Sequence, residues 1–360
     1  MIQRDVEISP ASAATGPRRK GVTARLAALA VISVLAVGCG AGEGADRAAS
    51  SEDGSLVVGV RNATVPQASL YWAAAKGYFK DAGLDLSIKA GEAAHSAQLV
   101  AGQVDLSMGA QGALFGVINS GKRVTAIYGS DSGISGWVVT SSDSVKTPTD
   151  CKSVTTATPG TVLYAWTRQL EKVYDVKWKI TQLTTVPAIA ANVIGGRTDC
   201  ATGNVSFYQS GIDSGKLRVL LDPTDKSSLP PGWPALGVED VFGGLPERLK
   251  EKKPAVERFL RAYDTALSDY LAADSKDIAR TLISYDPQWA AVGSVDVLAE
   301  AVEKFKPLLS PDKGYISEDV WARTLAFYQT GGLDFLASDS SRFDYASAVD
   351  MSYYKAAIGE

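Results

Sequence analysis

The sequence predicts an α/β protein built as two similar lobes in tandem, and three observations carry that prediction. Short apolar runs of strand character alternate with segments of helical spacing from Leu56 to Leu221, as in a mostly parallel sheet. A glycine and aspartate pattern recurs within that stretch at a constant offset of 94 residues. The chain has 360 residues, 46% apolar and 21% charged, enough for a buried core in one large or two medium domains. That apolar content excludes a wholly disordered chain.

The elements follow in order. Leu56 to Val60 is a continuous apolar run, which suits a buried strand. Leu70 to Tyr78 has helical spacing and is broken by Gly77 and Gly83. Leu84 to Lys89 alternates with period two and reads as a strand with one covered face. Ser96 to Ala101 is a short helix, Val104 to Met108 a strand, Ala113 to Ile118 a helix and Val124 to Tyr128 a strand. A second set begins with a strand at Ser153 to Ala157 and a helix at Val162 to Val173, apolar at Val162, Trp166, Leu170 and Val173. Trp178 to Leu183, a helix opened by Pro187, a strand near Cys200, a helix from Val205 and a strand at Leu217 to Leu221 complete it.

The recurring pattern is Gly102-Gln103-Val104-Asp105, Gly109 and Gly121-Lys122, matched by Gly196-Arg197-Thr198-Asp199, Gly203 and Gly215-Lys216. In both copies a helix ends at Gly, where φ > 0 is inexpensive, and Asp opens a strand. Two similar α/β lobes in tandem are the plain inference, and a two-lobed clamp with a ligand between matching strand ends is the sharper one. Beyond Val241 helical spacing dominates, in Pro246 to Ala273, Val295 to Phe305, Glu318 to Gln329 and Tyr345 to Ile358. Having no strand partner of their own, these helices are expected on the outside of the lobes.

Composition narrows function. The 36 basic and 40 acidic residues leave a net charge of −4, which argues against nucleic acid as a partner. One His and three Cys offer little for a metal site, and no metal or cofactor is expected. The N-terminus reads as an address. Arg18, Arg19, Lys20 and Arg25 precede an apolar run from Leu26 to Val37, about twelve residues where a membrane span needs ~20. Leu35-Ala36-Val37-Gly38-Cys39 resembles a bacterial lipobox, which implies lipidation of Cys39 and tethering to the outer face of the cell membrane. Residues 1–38 are then the signal peptide, and the Gly, Ala and Ser-rich residues 39–54 a flexible tether. The alternatives are an ordinary secreted protein with Cys39 incidental and, for Arg18-Arg19, twin-arginine export.

A family resemblance adds to this reading. Ala75-Lys76-Gly77-Tyr78-Phe79-Lys80-Asp81-Ala82-Gly83-Leu84-Asp85-Leu86, followed by Leu99 to Gly109, resembles the sulfonate, taurine, nitrate and thiamine-precursor (NMT1-like) binding proteins of ABC importers. The resemblance implies a type II periplasmic-binding-protein fold: two α/β lobes joined by a two-segment hinge, with extra C-terminal helices. Lobe 1 would comprise residues 55–140 and 236–360, and lobe 2 residues 141–235. A monomer would bind solute in the cleft, close on it, and dock on permease subunits.

Candidate ligand-binding residues lie in loops after strand ends. Asn62, Thr64 and Gln67 follow the first strand, Glu92 and His95 the second, and Gln111 opens a helix. Ser130 and Asp131 follow the strand ending at Tyr128. In the second lobe Thr158, Gly160 and Thr161 precede one helix and Asn204 another. Helix N-termini offer free N–H groups to an anion or carbonyl, although these residue types also serve as plain caps. Trp137 is a stacking candidate beside Trp72, Tyr164 and Tyr208, with core packing the preferred reading of Trp72 and Tyr164. Glu92 and Asp131 would repel a bare anion and suit an amine or ring N–H.

The family pattern is incomplete. Gln111-Gly112-Ala113 lacks the Ser or Asp followed by Pro of several sulfonate and taurine binders, and Ala63 to Pro66 lacks the Trp-x-Pro-Asn of thiamine-precursor binders. A small polar organic solute, zwitterionic or heteroaromatic, is the expectation, with nitrate or a simple sulfonate as alternatives. Cys151 and Cys200 are expected to form a disulfide in an exported compartment, the alternative being two buried thiols. No phosphate-loop, zinc-protease or serine-hydrolase motif is present, and His95 has no evident nucleophile partner. The other readings are an exported sensor domain signalling to a membrane kinase and, against the lipobox, a pyrimidine-synthesis-type enzyme of the same fold.

Overall fold

The computed structural model describes residues 54–61, 63–91, 95–131, 136–225, 227–231, 237–309, 314–338 and 340–360. Cys39, the signal sequence and the tether lie outside the described residues, as do Asn62, Glu92 and the side chain of His95.

The first lobe begins with β1 (Ser55–Val60), α1 (Ala68–Lys76), α2 (Tyr78–Asp81) and β2 (Asp85–Ala90). It continues with α3 (His95–Val100), β3 (Leu106–Ala110), α4 (Gln111–Asn119) and β4 (Thr125–Gly129). The second comprises β5 (Trp137–Thr140), β6 (Ser153–Thr156), α5 (Val162–Val173), β7 (Lys179–Gln182), α6 (Val186–Ile194), β8 (Cys200–Gly203), α7 (Val205–Asp213) and β9 (Arg218–Leu221). The chain returns through β10 (Asp240–Gly244) to α8 (Pro246–Glu251), α9 (Lys253–Ala272), α10 (Ser275–Tyr285) and α11 (Val295–Phe305). It ends with α12 (Glu318–Thr330), α13 (Phe335–Ser338), α14 (Tyr345–Ala348) and α15 (Ser352–Ile358).

Two five-stranded sheets result, ordered β2-β1-β3-β10-β4 and β7-β6-β8-β5-β9. Each has one antiparallel strand inserted beside the last strand of its lobe: β10 between β3 and β4, and β5 between β8 and β9. These inserted strands follow the two crossings, so each sheet is completed by chain arriving from the other lobe. Neither strand is evident from the sequence. The expected boundary after residue 140 is corrected to a crossing before Trp137, because β5 is buried throughout and belongs to the second sheet.

The recurring sequence pattern has a structural cause. Asp105 Oδ2 accepts the N–H of Val57 in β1 (2.8 Å), and Asp199 Oδ2 accepts those of Lys152 and Ser153 at the start of β6 (both 2.9 Å). In each lobe the same Asp therefore ties the start of one parallel strand to the next. Gly102 and Gly196 stand at φ 68° and 64° where the preceding helix ends, a conformation that L side chains rarely adopt. The expected disulfide is present between Cys151 and Cys200, with Cα atoms 6.0 Å apart, joining the chain before β6 to β8.

The C-terminal helices depart from expectation in three ways. Pro246 to Ala273 is two helices, because the ring of Pro254 blocks a helical bond to the carbonyl of Lys250. Tyr345 to Ile358 is also split, where the N–H of Asp350 donates to Ala126 O in β4 (2.9 Å). The helices are not confined to the outside of the lobes. Helix α9 packs Phe259 and Tyr263 against Phe242 of β10. Helix α11 reaches the second lobe through Lys304 Nζ to Gln209 Oε1 (3.0 Å), and α12 accepts Gln169 Nε2 on Phe327 O (3.1 Å). Among the described residues no helix is long and apolar enough to cross a membrane.

Candidate ligand-binding site

The parallel strands of both sheets direct their C-termini, and the helix N-termini that follow, toward a cleft between the lobes. A cavity of about 420 Å³ occupies it. The first lobe contributes Arg61 at the end of β1, Thr64 and Pro66 before α1, Ala110 and Gly112 at the start of α4, and Glu239 before β10. The second contributes the turn Thr158–Gly160, the first turn of α5 from Thr161 to Leu163, Leu183 and Thr184 after β7, Ile189 of α6, and Asn204 and Phe207 of α7.

Chemically the two walls differ. At the second-lobe wall Thr161 caps α5, its hydroxyl accepting from Tyr164 N (3.2 Å) and donating to Thr158 O (2.7 Å). Val162 and Leu163 occupy the first turn, where amides lack an intrahelical acceptor. Asn204 caps α7 through Oδ1, which accepts from Ser206 N (3.0 Å) and Ser206 Oγ (2.9 Å). Its Nδ2 is buried, with no hydrogen-bond partner among the described residues. This wall offers donors to an acceptor-rich ligand. Among the described residues the first-lobe wall carries the cation Arg61 and the carboxylate Glu239, and apolar side chains line much of the cavity.

Beneath the first-lobe wall lies a second polar layer. Gln67 accepts the hydroxyl of Thr64 and donates to Asp240 Oδ2 (2.9 Å), linking cavity wall to floor. Ser130 donates from its hydroxyl to Asp240 O (3.0 Å). Asp131 Oδ1 accepts the N–H groups of Glu239 (3.2 Å) and Asp240 (3.1 Å). Burial, reinforced by Asp240 and Glu239, pushes the Asp131 carboxyl well above the usual carboxylate range. Burial also raises Asp240, against the opposing effects of Arg61 and Gln67.

The structure therefore sorts the candidate residues. Thr64, Thr158, Gly160, Thr161 and Asn204 meet around one cavity. Gln67, Gln111, Ser130 and Asp131 are buried beneath it, not on its surface, and the expected direct contact of Asp131 with an amine is corrected to a role in pinning β10. Trp137 is fully buried opposite Gly203, a core residue and not a stacking surface. Trp72 packs edge-on against Tyr270 in the core, and Tyr208 is fully buried. Sequence reasoning missed Arg61, Glu239 and Phe207. Arg61 immediately precedes a chosen position and Phe207 adjoins the chosen Tyr208, so strand-end position was readable where helical phase was not. Glu239 had no local signal, because its place depends on the return crossing.

The lobes touch across the cleft. A methyl group added to Gly112 would lie 2.3 Å from the Gly160 carbonyl oxygen and 2.6 Å from Cε1 of Tyr328. Only glycine fits this approach without displacing one lobe or the α12 ring.

Comparison with known proteins places this geometry. The family described as NMT1/THI5 like matches residues 66–276. A protein of Bordetella bronchiseptica RB50 superposes with a TM-score of 0.69 at 20% identity, covering 85% of this chain and 97% of the other. The ligand-binding component of an ABC-type import system from Staphylococcus aureus gives 0.65 at 14% identity, with 84% and 98% coverage. The periplasmic aliphatic sulphonate-binding protein of Escherichia coli gives 0.61 at 14% identity, with 79% and 92% coverage. No curated protein matches the sequence. At these identities the structural likeness establishes the fold, and the matched sequence pattern spans more than half the chain. The two-lobed chain belongs to the NMT1/THI5-like family and has the fold of periplasmic binding proteins.

Proposed function

We propose that this chain is the solute-binding component of an ABC importer, capturing a small organic solute that carries an acidic, acceptor-rich head. Lobe closure delivers the solute to permease subunits, with no covalent step. The observation that carries the reading is the cavity wall where the open N-terminus of α5 stands with Asn204, whose buried Nδ2 has no hydrogen-bond partner among the described residues. Leaving a buried donor without an acceptor costs about 1–3 kcal/mol, which an acceptor-rich solute reaching it from the cavity would recover.

The volume, about 420 Å³, falls in the usual range of small-molecule sites, roughly 300–1,000 Å³. Together with its apolar lining it favours an acid with an organic body over a bare inorganic oxyanion. Glu239 on the opposite wall suits an amino group or ring N–H in the same solute. In this reading Cys39 carries the lipid that holds the protein at the outer face of the cell membrane, and Cys39→Ser would release it to the surrounding medium.

The test is a thermal-shift screen of the purified protein, cleared of carried-over ligand. The panel covers alkyl and amino sulfonates, organic carboxylates, pyrimidines, amines, nitrate and bicarbonate. Organic acids or amino acids should raise the melting temperature, by an amount equivalent to ~2.7 kcal/mol at 100 times the dissociation constant. A rise with simple amines alone, and none with any acid, would overturn the reading.

A further inference from the structure

Three buried threonine hydroxyls meet behind the second-lobe wall of the cavity. Thr156 ends β6, Thr202 stands in β8 and Thr167 lies in α5. All three are 0% exposed. Thr167 Oγ1 lies 2.9 Å from Thr156 Oγ1 and 2.7 Å from Thr202 Oγ1, and Thr202 Oγ1 donates to Thr156 Oγ1 at 2.8 Å, which closes a ring. The ring also reaches the wall, because Thr167 and Thr156 stand within donating distance of Leu163 O, at 2.7 and 3.2 Å. Leu163 lines the cavity from the first turn of α5.

Each hydroxyl has one proton to give, so three protons serve these five contacts. If every proton were spent inside the ring, Leu163 O would receive none from it. The order Thr167 to Thr202 to Thr156 to Leu163 O uses all three and ends on a carbonyl, which only accepts. Packing by itself does not call for hydroxyls at these positions. Valine has the same branched shape and is buried at lower cost. What the hydroxyls add is direction, since they fix the ends of β6 and β8 against the first turn of α5. From those same ends run Ala157 to Gly160 and Asn204, which with α5 supply most of the second-lobe wall.

We propose that Thr156, Thr167 and Thr202 are positioning residues for solute binding. Their ring holds two strand ends and one helix start in a single register, so that the first-turn amides of α5 and the Asn204 cap converge on one acidic head. This rests on the reading of the cavity given above and deepens it: the fit of that wall to an acid is set behind the surface that touches the solute.

The test compares the full chain with three variants: Thr156→Val, Thr167→Val and Thr202→Val combined, Thr167→Val alone, and Thr167→Ser. Replacing every partner of a buried polar cluster by apolar groups of the same shape is near neutral for stability, so the triple variant should melt no lower than the wild type. Without solute, backbone amide order parameters at Leu163 and Tyr164 should fall in it from the ~0.85 of a rigid backbone toward ~0.6, while β6 and β8 stay rigid. In isothermal titration with the strongest organic acid of the screen, the triple variant should bind about tenfold more weakly or worse, and should lose preference for the acid over its neutral amide. Thr167→Ser keeps the hydroxyl and should match the wild type, whereas Thr167→Val should not. A triple variant with a rigid first turn and unchanged affinity reduces the ring to packing and overturns the proposal. Weaker binding with a rigid turn overturns the positioning mechanism, and a loosened turn with unchanged affinity overturns its part in binding. If the triple variant does not fold, equal affinities of Thr167→Val and Thr167→Ser overturn it instead. Failure of the solute reading is separately visible, as a wild type that binds no acid, and the order parameters then decide whether the ring positions α5.

Discussion

Asn204 divides its side chain between two tasks. Its oxygen caps α7, and its nitrogen is buried behind the cavity wall with no hydrogen-bond partner among the described residues. Asn204→Asp separates them, because a carboxylate caps as well and replaces the donor by a negative charge. Affinity for an acid-bearing solute should fall about 10–100-fold, the equivalent of a charged hydrogen bond, while the melting temperature barely changes. Isothermal titration with a hit from the screen checks the first and calorimetry the second. Asp240 makes a prediction of the opposite kind. Its carboxyl is raised in the folded protein by burial, so the folded state binds its proton more tightly than the unfolded chain does. The associated stability is present below the unfolded value of about 3.9 and is lost as pH rises through the folded one. Asp240→Asn should therefore gain on the wild type as pH rises from 4 to 8, read by urea denaturation at each pH. An advantage that does not change with pH would show that Asp240 carries its charge at no cost.

At the level of elements, the disulfide and the α12 contact are the ties to test. Cys151–Cys200 closes a loop with a sequence separation of 49 residues. Such a link contributes about 2–4 kcal/mol, mainly by restricting the unfolded chain. Cys151→Ser with Cys200→Ser, or reduction of the wild type, should lower the melting temperature by several degrees and leave the cavity able to bind. Helix α12 joins the lobes at one side: Tyr328 covers Gly112, and Phe327 O and Thr330 O accept from Gln169 and Lys172 of α5. Gly112→Ala forces a methyl group into the Gly160 carbonyl and the Tyr328 ring. The close approach of the lobes seen here should become inaccessible, so a solute that compacts the wild type in small-angle scattering should bind the variant at least tenfold more weakly and fail to compact it.

Over the whole molecule, the matched sheet orders explain why one sequence pattern occurs twice. A strand order of 2-1-3 with an inserted antiparallel neighbour requires, in each lobe, a helix ending in Gly and an Asp that ties the start of the neighbouring strand. The lobes nevertheless cannot be separated by cutting the chain once, since β10 completes the first sheet and β5 the second. Chemical denaturation should consequently show one cooperative transition for both sheets, with tryptophan fluorescence and far-ultraviolet circular dichroism giving coincident curves. Two resolved transitions would mean that the exchanged strands do not couple the lobes.

The sequence by itself determined the α/β class, the parallel strands of both lobes and their helices, the pairing of Cys151 with Cys200, and the strand ends at which ligand-facing residues occur. Those features are local: apolar period, glycine at positive φ and capping residues are written within a few positions of where they act. Tertiary structure alone decided the rest. Trp137–Thr140 and Asp240–Gly244 become strands because each enters a gap in a sheet, a partner no local pattern encodes. Asp131 and Gln111 look like cavity residues from their loops, yet the return of β10 covers both and brings Glu239 to the wall instead. Which side chain of a neighbouring pair faces the cavity, Phe207 or Tyr208, depends on helix rotation against the core, and burying the Tyr208 ring turned Phe207 toward the ligand space.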